Sequence, residues 1–574
     1  MKMNIEKILA DHNKALVLTL LLTFIYQLIL SFQGFDLCDE GYALTAYQQI
    51  FKNPTSVEYN FFFYLNNIAG GVWNIIFGFG GILSFRILAI IVIVLTIYFT
   101  CLNLKGFINP LMIPVATMMM LLLKTYGSMV FTHNHLTSLL VAITVYFLIQ
   151  GLNSNRRWYV FFAALFCAVN IFSRIPNITL IALSLLLFID YYYNRNKRLL
   201  GRNILISILG FTTGTGIVIL IMFLLGHIDI FFHTVFDNLF NVAISEDNSH
   251  NLGKMSNFYF LTYHDIFKYL AIFVFTFSFF PFIYRFHKQK WLKIIIILLF
   301  SYIIIKFSLF TFSNDKYYAI ILFPLILSCY FDRKNKLIIL LNAASLIVMF
   351  FLPLGSDLGI MNMGGNSVWL ATFTSAAHVY RFIHYKMKNN NDSYRLFFIV
   401  LYLLYGAYGL YIVSKNAYFD RGFRWEKRFR AKNDKFTVFT TEEKAKAMDE
   451  LLSELGKYVH SGDYLFCFAS IPTVHYLTET KPYTGNSWPW IYDSDVFISN
   501  LKKSVETITL PVVVRQTFLI DEGYWKEQSI IDQTNPSFTY LYKEKSIKFF
   551  EKFLEENHYT VIWENEFFQI YIPQ

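Results

Sequence analysis

The sequence predicts an α-helical polytopic membrane protein carrying a small C-terminal α/β domain, and three observations support that class. Of 574 residues, 55% are hydrophobic and only 15% charged, a balance that no water-soluble domain of this size could keep off its surface. Apolar runs of roughly the 20 residues needed to cross a bilayer recur along positions 1–414. From 415 to 574 charge returns and the apolar residues shorten into strand- and helix-length pieces.

In chain order, candidate spans lie near 15–33, 82–101, 108–123, 133–151, 157–173, 177–193, 203–226, 267–284, 292–312, 317–331, 336–353, 366–385 and 395–414, about thirteen in all. The first run lacks an Ala-x-Ala-like cleavage site and reads as an anchor, not a removable signal. Basic clusters recur at alternate connections: MKMNIEK, Lys105, Arg156-Arg157, NRNKRLLGR, YRFHKQKWLK, DRKNK and YKMKNNNDSYR. The positive-inside bias makes those connections cytoplasmic. It also accounts for the net charge of +10 without a nucleic-acid partner. An odd number of spans starting inside ends outside, so the 415–574 domain is expected to be extracytoplasmic.

Two loops on that outer side are longer than topology requires. The first, 34–81, reads as two interfacial helices, GYALTAYQQIF and NFFFYLNNIAGGVWNIIFGFGG. The second, 227–266, carries the polar stretch ISEDNSHNLGKMSN and reads as a mobile lid. Beyond 415, TEEKAKAMDELLSELGKYV has helical spacing, DYLFCFAS and LPVVVRQTFL read as buried strands, and SIKFFEKFLEENHYTVIWENEFFQIYI as helix, strand, strand. Five cysteines show no paired spacing, and Cys38 with Cys467, which alone could meet outside the membrane, are read as unrelated thiols.

Ionisable groups left near the membrane cost about 2.5–3.5 kcal/mol each on insertion scales, which makes them candidates for function. On the outer side these are Asp36, Asp39, Glu40, Arg86, Lys124, His133, His135, Arg174, Lys306, Lys316 and Asp357. A few acids among several cations suit chemistry on an anionic lipid head: a carboxylate takes a proton from a hydroxyl while Arg and Lys neutralise phosphate. Sugar transfer from a lipid phosphate needs one base and no acid, because the leaving phosphate is already stable as an anion. Asp36 reads as a helix cap before GYALTAY. Of His133 and His135, one reads as structural and one as functional. Lys316 is the best phosphate candidate, Arg86 and Arg174 also suit snorkelling, and Asp357 reads as a turn residue. The stretch SIPTVHYLTETKPYTGNSWPW, 470–490, reads as a loop packed on the membrane domain, and its rings and amides also suit carbohydrate.

Asp39-Glu40 followed by Gly41-Tyr42, in the first outer loop after the first span, resembles the Asp-Glu motif of GT-C glycosyltransferases. The likeness is greatest to the dolichyl-phosphate-mannose protein mannosyltransferases and the bacterial lipid A aminoarabinose transferases. SFRIL at 84–88, SRIP at 173–176 and Lys316-Tyr317-Tyr318 with Pro324 resemble further family positions more weakly. The resemblance implies a polyprenyl-phosphate-linked sugar donor and an inverting transfer at the outer face of a bacterial-type inner membrane. The acceptor would be a glycan, lipid or protein, with membrane lipid around the site. Carried over by position, Asp39 is the catalytic base and Glu40 its catalytic neighbour, positioning the acceptor or a metal. Lys316, Arg174, Arg86 and Tyr317 would hold the donor phosphate, and His133, Asn134, His135 and Tyr42 would position acceptor or metal. Many relatives carry a second acid in the next outer loop, where this chain has His133-Asn134-His135. Either Asn134 positions by hydrogen bonds or the histidines supply proton transfer or ligate a divalent metal. The alternatives are a transporter or flippase of lipid-linked sugars, and a lipid-diphosphate-dependent glycan ligase.

Overall fold

The computed structural model describes residues 11–123, 129–238, 252–286, 289–304, 314–356, 358–386, 391–521, 524–527 and 544–574. Its first part is helical throughout, and the helices are numbered here in chain order. They are α1 His12–Ser31, α2 Asp39–Gln49, α3 Tyr64–Phe77, α4 Gly81–Asn103, α5 Met112–Leu121, α6 His133–Ser154 and α7 Arg157–Ile171. There follow α8 Leu185–Asn194, α9 Lys197–Leu224, α10 Ile228–Phe232, α11 Leu252–Phe286, α12 Lys290–Ile304 and α13 Asn314–Phe331. α14 Lys336–Phe351, α15 Gly359–Ser367, α16 Trp369–Arg381 and α17 Asn391–Lys415 complete the bundle.

Among the described residues each expected span overlaps a helix, although 177–184 is 3₁₀, Val368 interrupts 366–385, and 305–312 of the ninth lie outside the described residues. Five helical runs, His12–Ser31, Pro54–Asn103, His133–Ser154, Ile175–Asn194 and Lys197–Leu224, are long and apolar enough to cross a membrane. Met112–Leu121, Arg157–Ile171 and Lys336–Phe351 are apolar but shorter. At about 1.5 Å per residue, the 10 residues of α5 fall well short of a hydrocarbon core of about 30 Å. The first loop holds the two expected helices, α2 and α3, with a 3₁₀ segment Pro54–Phe63 ahead of the second. The lid reading fares differently. α11 begins at Leu252, fifteen positions before the expected span, and 239–251 lie outside the described residues.

Packing follows from small residues. Gly210 and Gly214 on α9 form a small-xxx-small stripe: a Cβ at either would lie 2.2 Å from the Phe161 carbonyl oxygen or 2.5 Å from that of Leu165. Their absence of side chain lets α9 touch the backbone of α7, the device by which apolar helices associate without a hydrophobic driving force. Among the described residues, the connections near 105–107, 152–157, 190–196 and 332–336 lie at one end of the bundle. Lys336 Nζ donates to the Leu152 carbonyl at 2.9 Å and pairs with buried Asp190, and the Arg381 guanidinium lies 4.9 Å from the Phe107 ring centre.

The C-terminal part is the expected small α/β unit. A tight turn, β1 Asn416–Ala417 and β2 Asp420–Arg421, leads from α17 into α18 Glu442–Leu455. The sheet elements are β3 Tyr464–Phe468, β4 Lys481–Pro482, β5 Val512–Gln516, β8 Tyr559–Glu564 and β9 Phe568–Pro573; β6 Phe518–Asp521 and β7 Tyr524–Glu527 form a separate hairpin. Five strands run in the order β4-β3-β5-β9-β8, parallel among β4, β3 and β5 and antiparallel from β5 to β9 and β8. The remaining helices are α19 Thr473–Thr478, α20 Ser494–Thr507 and α21 Glu544–Glu556. This domain is not a pendant. Its core is continuous with that of the first loop, where Phe35, Leu44 and Tyr47 pack in one cluster with Met448, Val474 and Val514.

Candidate functional site

The three acids of the first loop part company as soon as α2 begins. Asp36 is buried; its Oδ1 accepts from the Cys38 amide at 2.9 Å and its Oδ2 from the Glu40 amide at 2.8 Å. It therefore caps the first turn of α2, as expected, but from the interior and not from solvent. Burial, then Asp39 and Glu40 beside it, push its carboxyl well above the usual range. The same burial, with Asp39 and Asp36 close by, pushes the Cys38 thiol up; both Cys38 and Cys467 are free.

Glu40 is fully buried and faces Arg86 of α4. Arg86 Nε donates to Glu40 Oε1 at 3.0 Å and Nη2 to Oε2 at 2.7 Å. Nη1 donates to the carbonyls of Ser31 (2.8 Å) and Gln33 (3.2 Å), and Nη2 also to that of Gly34 (2.8 Å). Those contacts occupy all five guanidinium N–H groups. Oε1 also accepts from the Val130 amide at 2.9 Å. Burial raises the Glu40 carboxyl, and the Arg86 charge and hydrogen bonds oppose it. This corrects the expectation for Arg86, which is a staple joining α1, α2 and α4 with no donor left for a phosphate. Glu40 likewise has both oxygens engaged by the staple, Oε1 accepting twice and Oε2 once, and is fully buried.

Asp39 stands apart. It is half-buried, and its Oδ2 accepts from the hydroxyl of Tyr418, which lies in the turn between β1 and β2. Burial and the adjacent carboxylates hold that hydroxyl well above its ordinary range, so it stays protonated and donates. Nothing in the sequence signals this contact across 379 positions.

The other wall of α2 is the C-terminal domain. A Cβ at Gly41 would lie 2.1 Å from both the backbone nitrogen and Oγ1 of Thr473, so only glycine admits this approach. The Thr473 amide donates to the Leu37 carbonyl at 3.1 Å and its hydroxyl to that of Asp36 at 2.9 Å. Further along, Thr45, Gln48 and Gln49 donate to the carbonyls of Pro472, Tyr476 and Thr480 at 3.1, 3.3 and 3.2 Å. Tyr42 meets Trp488 edge-on at 6.0 Å between ring centres, and its buried hydroxyl has no partner among the described residues. The stretch 470–490 thus packs on the first loop as expected, but it carries α19 and β4 where a loop was expected.

The start of α6 also divides its residues. His135 is structural: its Nδ1 accepts from the Thr132 amide at 3.1 Å, closing a capping box with Thr132. His133 is half-buried and stacks on Phe63, with ring centres 3.9 Å apart and planes 13° apart. Between them, the buried Oδ1 of Asn134 has no partner among the described residues. Among the described residues no three His, Cys, Asp or Glu side chains group where they could hold a metal ion. The ligation option for the histidines therefore lacks a partner set there.

Of the phosphate candidates, Arg174 is buried beside the Pro176 turn, with Nη1 3.3 Å from the Leu352 carbonyl. Lys316 lies half-buried with Nζ 5.2 Å from the Tyr269 ring centre. Tyr317 is corrected. It is wholly buried, with its hydroxyl 2.9 Å from Thr372 Oγ1 and 3.7 Å from Met120 Sδ, and belongs to the bundle core. Lys124, Lys306 and Asp357 lie outside the described residues. Comparison with protein-family models and with curated proteins returns no match.

Proposed function

We propose that this chain is a GT-C-type membrane glycosyltransferase that moves a sugar from a polyprenyl phosphate to an acceptor hydroxyl, with inversion, at the outer face of a bacterial-type inner membrane. The observation that supports the reading best is the unequal use of the Asp36, Asp39 and Glu40 carboxylates. Two are consumed by a cap and a staple, whereas Asp39 stays half-exposed and accepts from the hydroxyl of Tyr418. In this reading Asp39 takes the acceptor proton as the acceptor oxygen bonds to the anomeric carbon. The bond from that carbon to the phosphate oxygen breaks, and polyprenyl phosphate leaves as an anion that needs no general acid. Arg174 and Lys316 supply positive charge to that phosphate. The bundle would cross the membrane about thirteen times, its basic end cytoplasmic; Lys105, Arg333 and Lys334 are exposed there, in keeping with the positive-inside bias.

The test is turnover of purified protein with radiolabelled polyprenyl-phosphate sugars. Release of free polyprenyl phosphate is expected, and Asp39→Asn should abolish it with folding intact. Near-normal turnover in folded Asp39→Asn would refute the role of Asp39. Movement of intact donor across a vesicle bilayer, with no phosphate released, would show a flippase instead.

A further inference from the structure

At the basic end of the bundle, far from Asp39, α11, α13, α16 and α17 enclose a cavity of about 130 Å³. The separation is set by α4: Arg86 in its first turns holds Glu40, whereas Phe107, just past its last turn, carries Arg381 of α16. Phe273, Phe323, Leu327, Ala376, Leu401 and Tyr402 make the cavity wall mainly apolar. A pocket of that character excludes water and takes an apolar guest; engineered cavities of about 150 Å³ take benzene. Its buried polar side asks nothing of a ligand. Ser328, His378 and Asn342 satisfy one another, with His378 Nε2 2.9 Å from Ser328 Oγ and 2.7 Å from Asn342 Oδ1, and Asn342 Nδ2 2.8 Å from Ser328 Oγ.

The rim is charged. Arg381 reaches Asp332 only at 4.0 Å, and both are partly exposed. Arg333 and Lys334, exposed on the connection that follows Asp332, and Lys105, two positions before Phe107, are further positive charges at this end of the bundle. An apolar pocket that has Arg381 at its mouth and opens at the basic end of the bundle is complementary to an amphiphile with a negative head.

We infer that this cavity is a binding site for an anionic phospholipid, one acyl-chain segment entering between α13 and α16 and the head phosphate resting on Arg381. The inference rests on the chain being membrane-embedded but not on its being a glycosyltransferase, so neither can fail through the other. The full-length protein is reconstituted in phosphatidylcholine vesicles that contain a trace of photoactivatable-chain phosphatidylglycerol or phosphatidylcholine. Expected is severalfold more labelling of α13 and α16 peptides by the phosphatidylglycerol probe. Arg381→Gln should bring the two probes to parity, and Ala376→Phe, which fills the cavity, should lower labelling at least fivefold. Equal labelling by both probes in the wild type overturns the inference, as does label confined to the exposed face of α9. Competition by unlabelled polyprenyl phosphate but not by phosphatidylglycerol also overturns it, by giving the cavity to an isoprenoid tail. Should Ala376→Phe not fold, the wild-type probe ratio and Arg381→Gln decide the matter.

Discussion

The two faces of α2 hold neighbouring acids by opposite means. Toward the helices, Glu40 is fully buried against Arg86, every polar atom matched. Toward the C-terminal domain, Asp39 is half-exposed and held by a hydroxyl, while backbone approaches fasten the helix around it. The first arrangement costs desolvation that only complete pairing repays, so it suits a part that must not move. The second leaves a carboxylate able to exchange partners, which a proton acceptor requires.

The contrast is broken most severely from the Glu40 side. Arg86→Met leaves the Glu40 carboxylate buried without its partner, and removing one member of such a pair costs about 3–5 kcal/mol. The variant should be recovered largely unfolded in detergent, and adding Glu40→Leu should restore part of the thermal stability. Equal stability of Arg86→Met and the wild type would show that the pair is not the staple described.

Acid should act on the opposite face. His475, buried in α19 with Nδ1 3.0 Å from Thr480 Oγ1, has its basicity lowered by burial from 6.5 to about 3. Because the unfolded chain takes up a proton that the folded one refuses, the stabilisation is present above pH 6.5 and is lost as pH falls from there toward 3. The slope is about 1.4 kcal/mol per pH unit. Thermal unfolding of His475→Asn should lack that slope, whereas a slope unchanged in the variant would assign it to other groups.

Gly41→Ala tests the same face sterically. Its Cβ would fall 2.1 Å from the Thr473 nitrogen, a backbone atom that cannot swing aside. Overpacking of this kind costs about 1–3 kcal/mol, and the C-terminal domain should become quicker to proteolyse while the helices stay protected. Unchanged proteolysis would mean that α2 and α19 can separate without loss.

How much of this could be read beforehand depends on the range of the interaction. The helices of 1–415 and the elements α18, β3, β5, α21, β8 and β9 are legible because periodicity is a local property, and a run of about 20 apolar residues has few alternatives. Asp36 as a cap is local too. By contrast, Arg86 looks like any cation at a membrane edge until Ser31, Gln33, Gly34 and Glu40 are folded around it. Tyr317 sits beside Lys316 in sequence but one residue further round α13, which turns it into the core against Thr372. The loop expected over 227–266 ends earlier on its C-terminal side, because Lys254 and Ser256 sit within α11.

Tyr418→Phe makes the smallest and most specific change. It removes one hydroxyl and no ring, so packing is kept while Asp39 loses the Tyr418 donor. A hydrogen bond to a charged group contributes about 1.5–3 kcal/mol, which as lost orientation in a transfer step corresponds to a rate lower by roughly 10- to 100-fold. A donor to a carboxylate favours its ionised form. Without it, the acid limb of the rate profile should move to higher pH, and KM for the donor should stay unchanged because the phosphate contacts lie elsewhere. A purely structural role for Tyr418 would instead lower thermal stability and leave the acid limb where it was, so the two readouts together decide whether the C-terminal domain merely covers Asp39 or aims it.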